Sequence, residues 1–151
     1  MYTCPVVDAA ASITTQEDTP VSGQVTASDV DGDTLSFAAS QGPAHGALTL
    51  NAATGAYTYA ANANYNGADS FQVTVADGHG GTATQTVSVG IAAVNDAPVT
   101  AATASISTQE DTPVSGQVTA SDVDGDTLSF ATSQGPANGA LTLNAATGAY
   151  T

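Results

Sequence analysis

Gln16–Ala38 reads QEDTPVSGQVTASDVDGDTLSFA, and the same residues return unchanged at Gln109–Ala131. The offset is 93 residues, about the length of one small domain, so the chain is a tandem array. Within the stretch Val21, Gly23 and Val25 share one face, and Leu35 and Phe37 point the same way after an acidic interruption. Alternate residues of an extended chain lie on one face, so this spacing marks half-buried strands and not a helix.

The repeat extends outward on both sides. Residues 4–58 align with 97–151 over 55 pairs, of which seven differ, His45/Asn138 and Cys4/Ala97 among them. The expected units are 1–96, a complete repeat, and 97–151, a partial second repeat without its last strands. Thr151 is the counterpart of Thr58, inside an expected strand. Either the chain is a fragment or something else completes that unit.

Inside the first unit the alternation continues. Strands are expected over Ser12–Thr15, Val21–Ala27, Leu35–Ser40, Ala47–Leu50, Ala56–Ala60, Asp69–Ala76 and Thr82–Val94. Leu48 and Leu50 should face Tyr57 and Tyr59 across a hairpin around Asn51–Gly55, and DGHGG at Asp77–Gly81 should turn the chain into the last strand. Seven short strands with regular turns and no helical period predict an antiparallel β-sandwich of general immunoglobulin shape. With no Trp and a single cysteine, the antibody-type core is excluded. Tyr65 is placed either to anchor a loop through its hydroxyl or to pack over the sandwich end.

The chain carries 14 carboxylates and no Lys or Arg, a formal charge of −14. Such a polyanion should not bind nucleic acid or an anionic membrane by charge. Its 42% hydrophobic residues, placed in alternation, argue against disorder. No apolar run reaches the roughly 20 residues of a membrane helix, and the start, MYTCPVVDAA, lacks a basic signal-peptide region. Cys4 has no internal partner, and Ala97 replaces it in the second unit.

The acidic interruption is DVDGD: Asp29, Asp31 and Asp33, then Asp122, Asp124 and Asp126. Carboxylates this close repel one another unless cations neutralise them, and the chain supplies no Lys or Arg. Aspartates at alternate positions around a glycine suit a hard divalent cation such as calcium, which takes about six to eight oxygen ligands. The loop is not an EF-hand, because Ser40 stands where the closing Glu should be. The alternative is a solvated Asp/Gly turn.

The order NDAPV, EDTP, DVDGDTLSF and NYNGADSFQVTVADGHGG resembles the cadherin-like tandem repeats of large bacterial surface adhesins, of the VCBS or RTX-adhesin extender type. The resemblance covers essentially the whole chain. It implies an extracellular or cell-surface setting, neighbouring repeats of the same protein as partners, and calcium bound between successive domains. Carried over by position, Glu17, Asp77, Asn95 and Asp96 would meet Asp122, Asp124 and Asp126. Asp29, Asp31 and Asp33 have Met-Tyr-Thr-Cys upstream where Asn-Asp-Ala is expected, so their site would lack its linker half.

The leading expectation is a calcium-stiffened extender or adhesion repeat. A second is a filament-forming subunit whose incomplete repeat is completed by strands of a neighbouring chain, since open strand edges pair. A third is a carbohydrate-binding module, weakened by the scarcity of aromatic residues. Enzymatic activity is not expected. Asn138 stands at the position of His45 one repeat later, His79 lies in a Gly-rich turn, and Asp69 reads as a turn carboxylate.

Overall fold

The structure, a computed structural model, describes residues 3–151. They form two compact units, the first running to Val94 and the second from Asn95 to Thr151.

In the first unit, alternation produces two facing sheets. The larger contains β2 (Ala10–Gln16), β5 (Ser36–Gln41), β8 (Gly67–Ala76) and β9 (Thr82–Ala92), in the order β2-β9-β8-β5. The smaller contains β3 (Val21–Gln24), β6 (Gly46–Leu50) and β7 (Ala56–Ala61), in the order β3-β7-β6. A short pair, β1 (Val6–Val7) with β4 (Ala27–Ser28), completes the unit. Leu48 lies opposite Tyr59 and Leu50 opposite Tyr57, as the hairpin pattern requires.

The larger sheet turns Phe71, Val73, Val75 and Val87 inward, all at 0% exposure, and Val89 and Ile91 join them. The smaller sheet answers with Tyr57 and Tyr59, whose rings lie 5.1 and 6.4 Å from that of Phe71. Each such side chain contributes about 1.5–3 kcal/mol by leaving water. The intervening β8 and β9 residues, Ser70, Gln72, Thr74, Thr84, Thr86 and Ser88, form the polar outer face.

One pairing departs from the antiparallel expectation. β2 runs parallel to β9, from Ala10 opposite Thr86 to Gln16 opposite Ala92. From Thr3, at the end of the sheet where β8 turns into β9, the chain pairs first with β4 through β1 and then switches to β9. It travels the length of the domain in two pieces, β1 and then β2.

The second unit keeps the local features of the first. β10 (Val99–Thr100) pairs with β12 (Ala120–Ser121), and β11 (Gly116–Gln117) pairs with β13 (Ala149–Tyr150). The tight turn before β13 is also preserved. Gly148 has φ +71°, as Gly55 has φ +72°, and a Cβ on either would strike the carbonyl of Val118 or Val25.

Candidate metal-binding sites

The pairing of β5 with β8 sets Ser36 opposite Ala76, so the loop before β5 and the turn after β8 leave the sheet side by side. The DVDGD loop therefore lies against DGHGG. Asp29, Asp33 and Asp77 each bring a carboxylate oxygen within 4.8 Å of the others. Asp77 is buried, and its Oδ1 accepts from the amides of His79 and Gly81 at 2.7 and 2.9 Å. A Cβ on Gly81 would overlap Asp77 Oδ2, so glycine keeps this carboxylate in place. Asp29 Oδ1 accepts from the Asp31 amide at 2.8 Å, whereas its Oδ2 is buried without a hydrogen-bond donor among the described residues. His79 Nδ1 lies 3.2 Å from Asp33 Oδ2.

This arrangement corrects the partner assigned to Asp77. The resemblance put it with Glu17, facing the following repeat; in the structure it joins the aspartate loop of its own unit. Glu17 closes β2 at the opposite end of the sheet, because Gln16 pairs with Ala92, and Ile91 pairs with Gly67 at the start of β8. Ten residues of β8 separate the two ends, a span of about 30 Å at roughly 3.3 Å per residue.

Glu17 is only 2% exposed. Its amide donates to the Ala92 carbonyl at 3.0 Å, and its Oε1 accepts from the Val94 amide at 2.6 Å. Oε2 is buried and has no hydrogen-bond partner among the described residues. Burying a carboxylate oxygen without a donor is costly. Its repeat counterpart Glu110 is exposed, since the groups that enclose Glu17 come from the end of β9 and just beyond.

In the second unit Asp122, Asp124 and Asp126 also bring oxygens within 4.8 Å of one another. Asp122 Oδ1 gathers the amides of Asp124 and Asp126 at 3.0 and 3.3 Å. The Asp96 amide donates to Asp124 Oδ2 at 2.6 Å, and Asn95 Nδ2 donates to the Asp96 carbonyl at 2.9 Å. Thr3 makes the corresponding bond one repeat earlier, its amide donating to Asp31 Oδ2 at 2.6 Å and its hydroxyl at 3.0 Å. Thr3 thus engages the loop through its backbone although the Asn-Asp pair is lacking there. What Thr3 cannot supply is the extra carboxylate of Asp96.

The remaining polar features of the first unit are structural. Asp69, 8% exposed, accepts from the amides of Ala44, His45 and Ser70 and from the Tyr59 hydroxyl, all at 2.8–2.9 Å. Burial alone would raise its pKa, but these donors outweigh it and hold the carboxyl below its ordinary value. Tyr59 is pushed up by burial and by its bond to Asp69. Asp69 therefore closes the turn into β6. Tyr65 anchors its own loop, donating to the Ala68 carbonyl at 2.9 Å, and stacks on His45 at 4.1 Å.

Two facing sheets with acidic loops at their ends make the first unit an immunoglobulin-like, cadherin-like sandwich, and the second unit repeats its local features. The chain belongs to the bacterial Ig domain family, whose model matches residues 3–90 and again 95–151. A search of curated proteins gives no significant match. Among solved structures, the human protocadherin-24 EC1-2 pair superposes with a TM-score of 0.68 at 21% identity, covering 97% of this chain and 76% of that one. The extracellular cadherin domains 1-5 of protocadherin gamma B2 give 0.56 at 19% identity, covering 97% of this chain and 31% of theirs. An endo-fucoidan hydrolase of glycoside hydrolase family 107 gives 0.53 at 17% identity, covering 97% of this chain and 23% of the hydrolase. At these identities the likeness is one of fold. No helix among the described residues is long and apolar enough to cross a membrane.

Proposed function

We propose that the chain is a segment of a calcium-stiffened structural or adhesive array on the surface of a bacterium, without catalytic activity. The observation that carries this reading is the pair of acidic ends on the first unit. One holds Asp29, Asp33 and Asp77 together, and the other buries Glu17 with Oε2 lacking a donor among the described residues. The donor set is all oxygen, clustered, and without a Lys or Arg to neutralise it, which suits calcium. Asp29, Asp33 and Asp77 would hold an ion at the first aspartate loop, Asp31 bordering it. Asp122, Asp124 and Asp126, with Asn95 and Asp96, would serve the second loop. Glu17 would offer its free oxygen at the far end. A bound divalent ion supplies charge neutralisation between carboxylates and fixes loop geometry. Ions at the ends of successive repeats would limit how far each repeat swings against the next, making neighbouring repeats the natural partners.

Thermal melts and small-angle scattering of the chain in calcium and in EGTA test the reading. Calcium should raise the melting temperature and narrow the distribution of end-to-end distances. Identical melts and scattering profiles in the two buffers would reject it.

A further inference from the structure

We propose that the Asn66-Gly67 bond is a site of spontaneous deamidation, which slowly adds a carboxylate to the Glu17 end of the first unit. Asn66 lies between β7 and β8, in an exposed irregular segment, and its side chain has no hydrogen-bond partner among the described residues. The residue after it has no Cβ to hinder attack, and Gly67 has φ +130°, a conformation that other residues rarely adopt. The other asparagines of the unit lack one or both of these features. Asn62 and Asn64 precede Ala63 and Tyr65, and Asn51 is held by the amides of Ala53 and Thr54 at 2.9 and 3.2 Å.

The chemistry needs only water. The Gly67 nitrogen attacks Asn66 Cγ, the bond from Cγ to the amide nitrogen breaks, and ammonia leaves carrying the proton lost by the Gly67 nitrogen. Water then opens the resulting succinimide at either carbonyl, giving aspartate or isoaspartate. No oxidation or reduction occurs.

Position gives the change its consequence. Gly67 pairs with Ile91 and Gln16 with Ala92, so Asn66 and Glu17 leave the same end of the sheet. An aspartate there adds a carboxylate to the end where Glu17 Oε2 has no hydrogen-bond partner among the described residues. Isoaspartate instead lengthens the main chain by one carbon beneath the bond from the Tyr65 hydroxyl to the Ala68 carbonyl, disturbing the entry to β8. The calcium consequence rests on the function proposed above; the modification itself does not.

The test is peptide mapping after incubating the full chain at mildly alkaline and mildly acidic pH. Chymotryptic cleavage is required, because the chain has no Lys or Arg for trypsin. The amide-to-acid mass shift is expected at Asn66, faster at alkaline pH, and also at the exposed Asn138-Gly139, but not at Asn51 or Asn144. Conversion at Asn138 with Asn66 left as amide would overturn the proposal. In a second arm, calcium should raise the melting temperature of Asn66→Asp more than that of the unmodified chain. Equal calcium shifts would overturn the assignment of Asn66 to a cation-binding end. An absence of calcium response in both proteins, with the mass shift present, would reject the calcium reading and leave the modification standing.

Discussion

The amide of Val94 donates to Oε1 of Glu17 at 2.6 Å, tying the exit of β9 to the residue that follows β2. Glu17 thereby has one oxygen satisfied and the other enclosed with no donor among the described residues. Glu17→Gln keeps the acceptor for Val94 and deletes the charge. It should melt within about 1 kcal/mol of the parent in EGTA and lose part of the stabilisation by calcium. Glu110→Gln, at an exposed position of identical local sequence, is the matched control and should change neither melt.

The repeat offers the same control for the core. Val25 is 1% exposed and Val118 is 42% exposed, within the same unchanged stretch. Val25→Ala should cost on the order of 1–2 kcal/mol of stability, read by urea denaturation. Val118→Ala should stay within about 0.5 kcal/mol. Equal costs would mean that burial at these positions is not what the contacts imply.

Asp69 predicts a pH dependence. Its folded pKa is depressed, so its stabilisation is present above the ordinary value of about 3.8 and is lost as pH falls through the lower folded value. Asp69→Asn should therefore be less stable at neutral pH, by about 1.5–3 kcal/mol, and show a flatter acid-side stability curve. Tyr59→Phe removes one of the four donors and should cost about 1 kcal/mol at neutral pH.

Gly55 adopts φ +72° at the end of the hairpin loop, with the Val25 carbonyl where a Cβ would stand. Gly55→Ala should lose at least about 1–2 kcal/mol from the left-handed conformation alone. Because the carbonyl belongs to β3's outgoing chain, hydrogen exchange should also rise at the Val25 amide, which donates to Gly55.

Much of this architecture is legible in the residues. Phe71, Val73 and Val75 alternate without interruption, and burial follows that alternation to 0% exposure. Leu48 and Leu50 find their tyrosines because a short hairpin fixes register locally. Non-local relationships are harder to read. Nothing in Ala10–Gln16 shows that its partner runs parallel, since strand direction is set by where the chain enters the domain. Asp77 joins Asp29 and Asp33 only because Ser36 pairs with Ala76, forty residues on in sequence, while the family resemblance argued from order along the chain. The near-complete burial of Glu17 and Gln85 is likewise invisible to a hydrophobic pattern, which counts polar residues as outward.

The parallel run of β2 beside β9 has a mechanical consequence. The chain enters the first unit at the aspartate end, where Thr3 bonds Asp31, and leaves past Ala92 at the glutamate end. Pulling on the two termini of the unit therefore drags β2 and β9 in opposite directions along their shared length. The bonds between Ala10–Gln16 and Thr86–Ala92 are loaded in shear, so they share the force instead of opening one after another. Resistance to such a pull is governed by the unfolding rate. A sandwich with its ends arranged this way resists stretching through its edge strand.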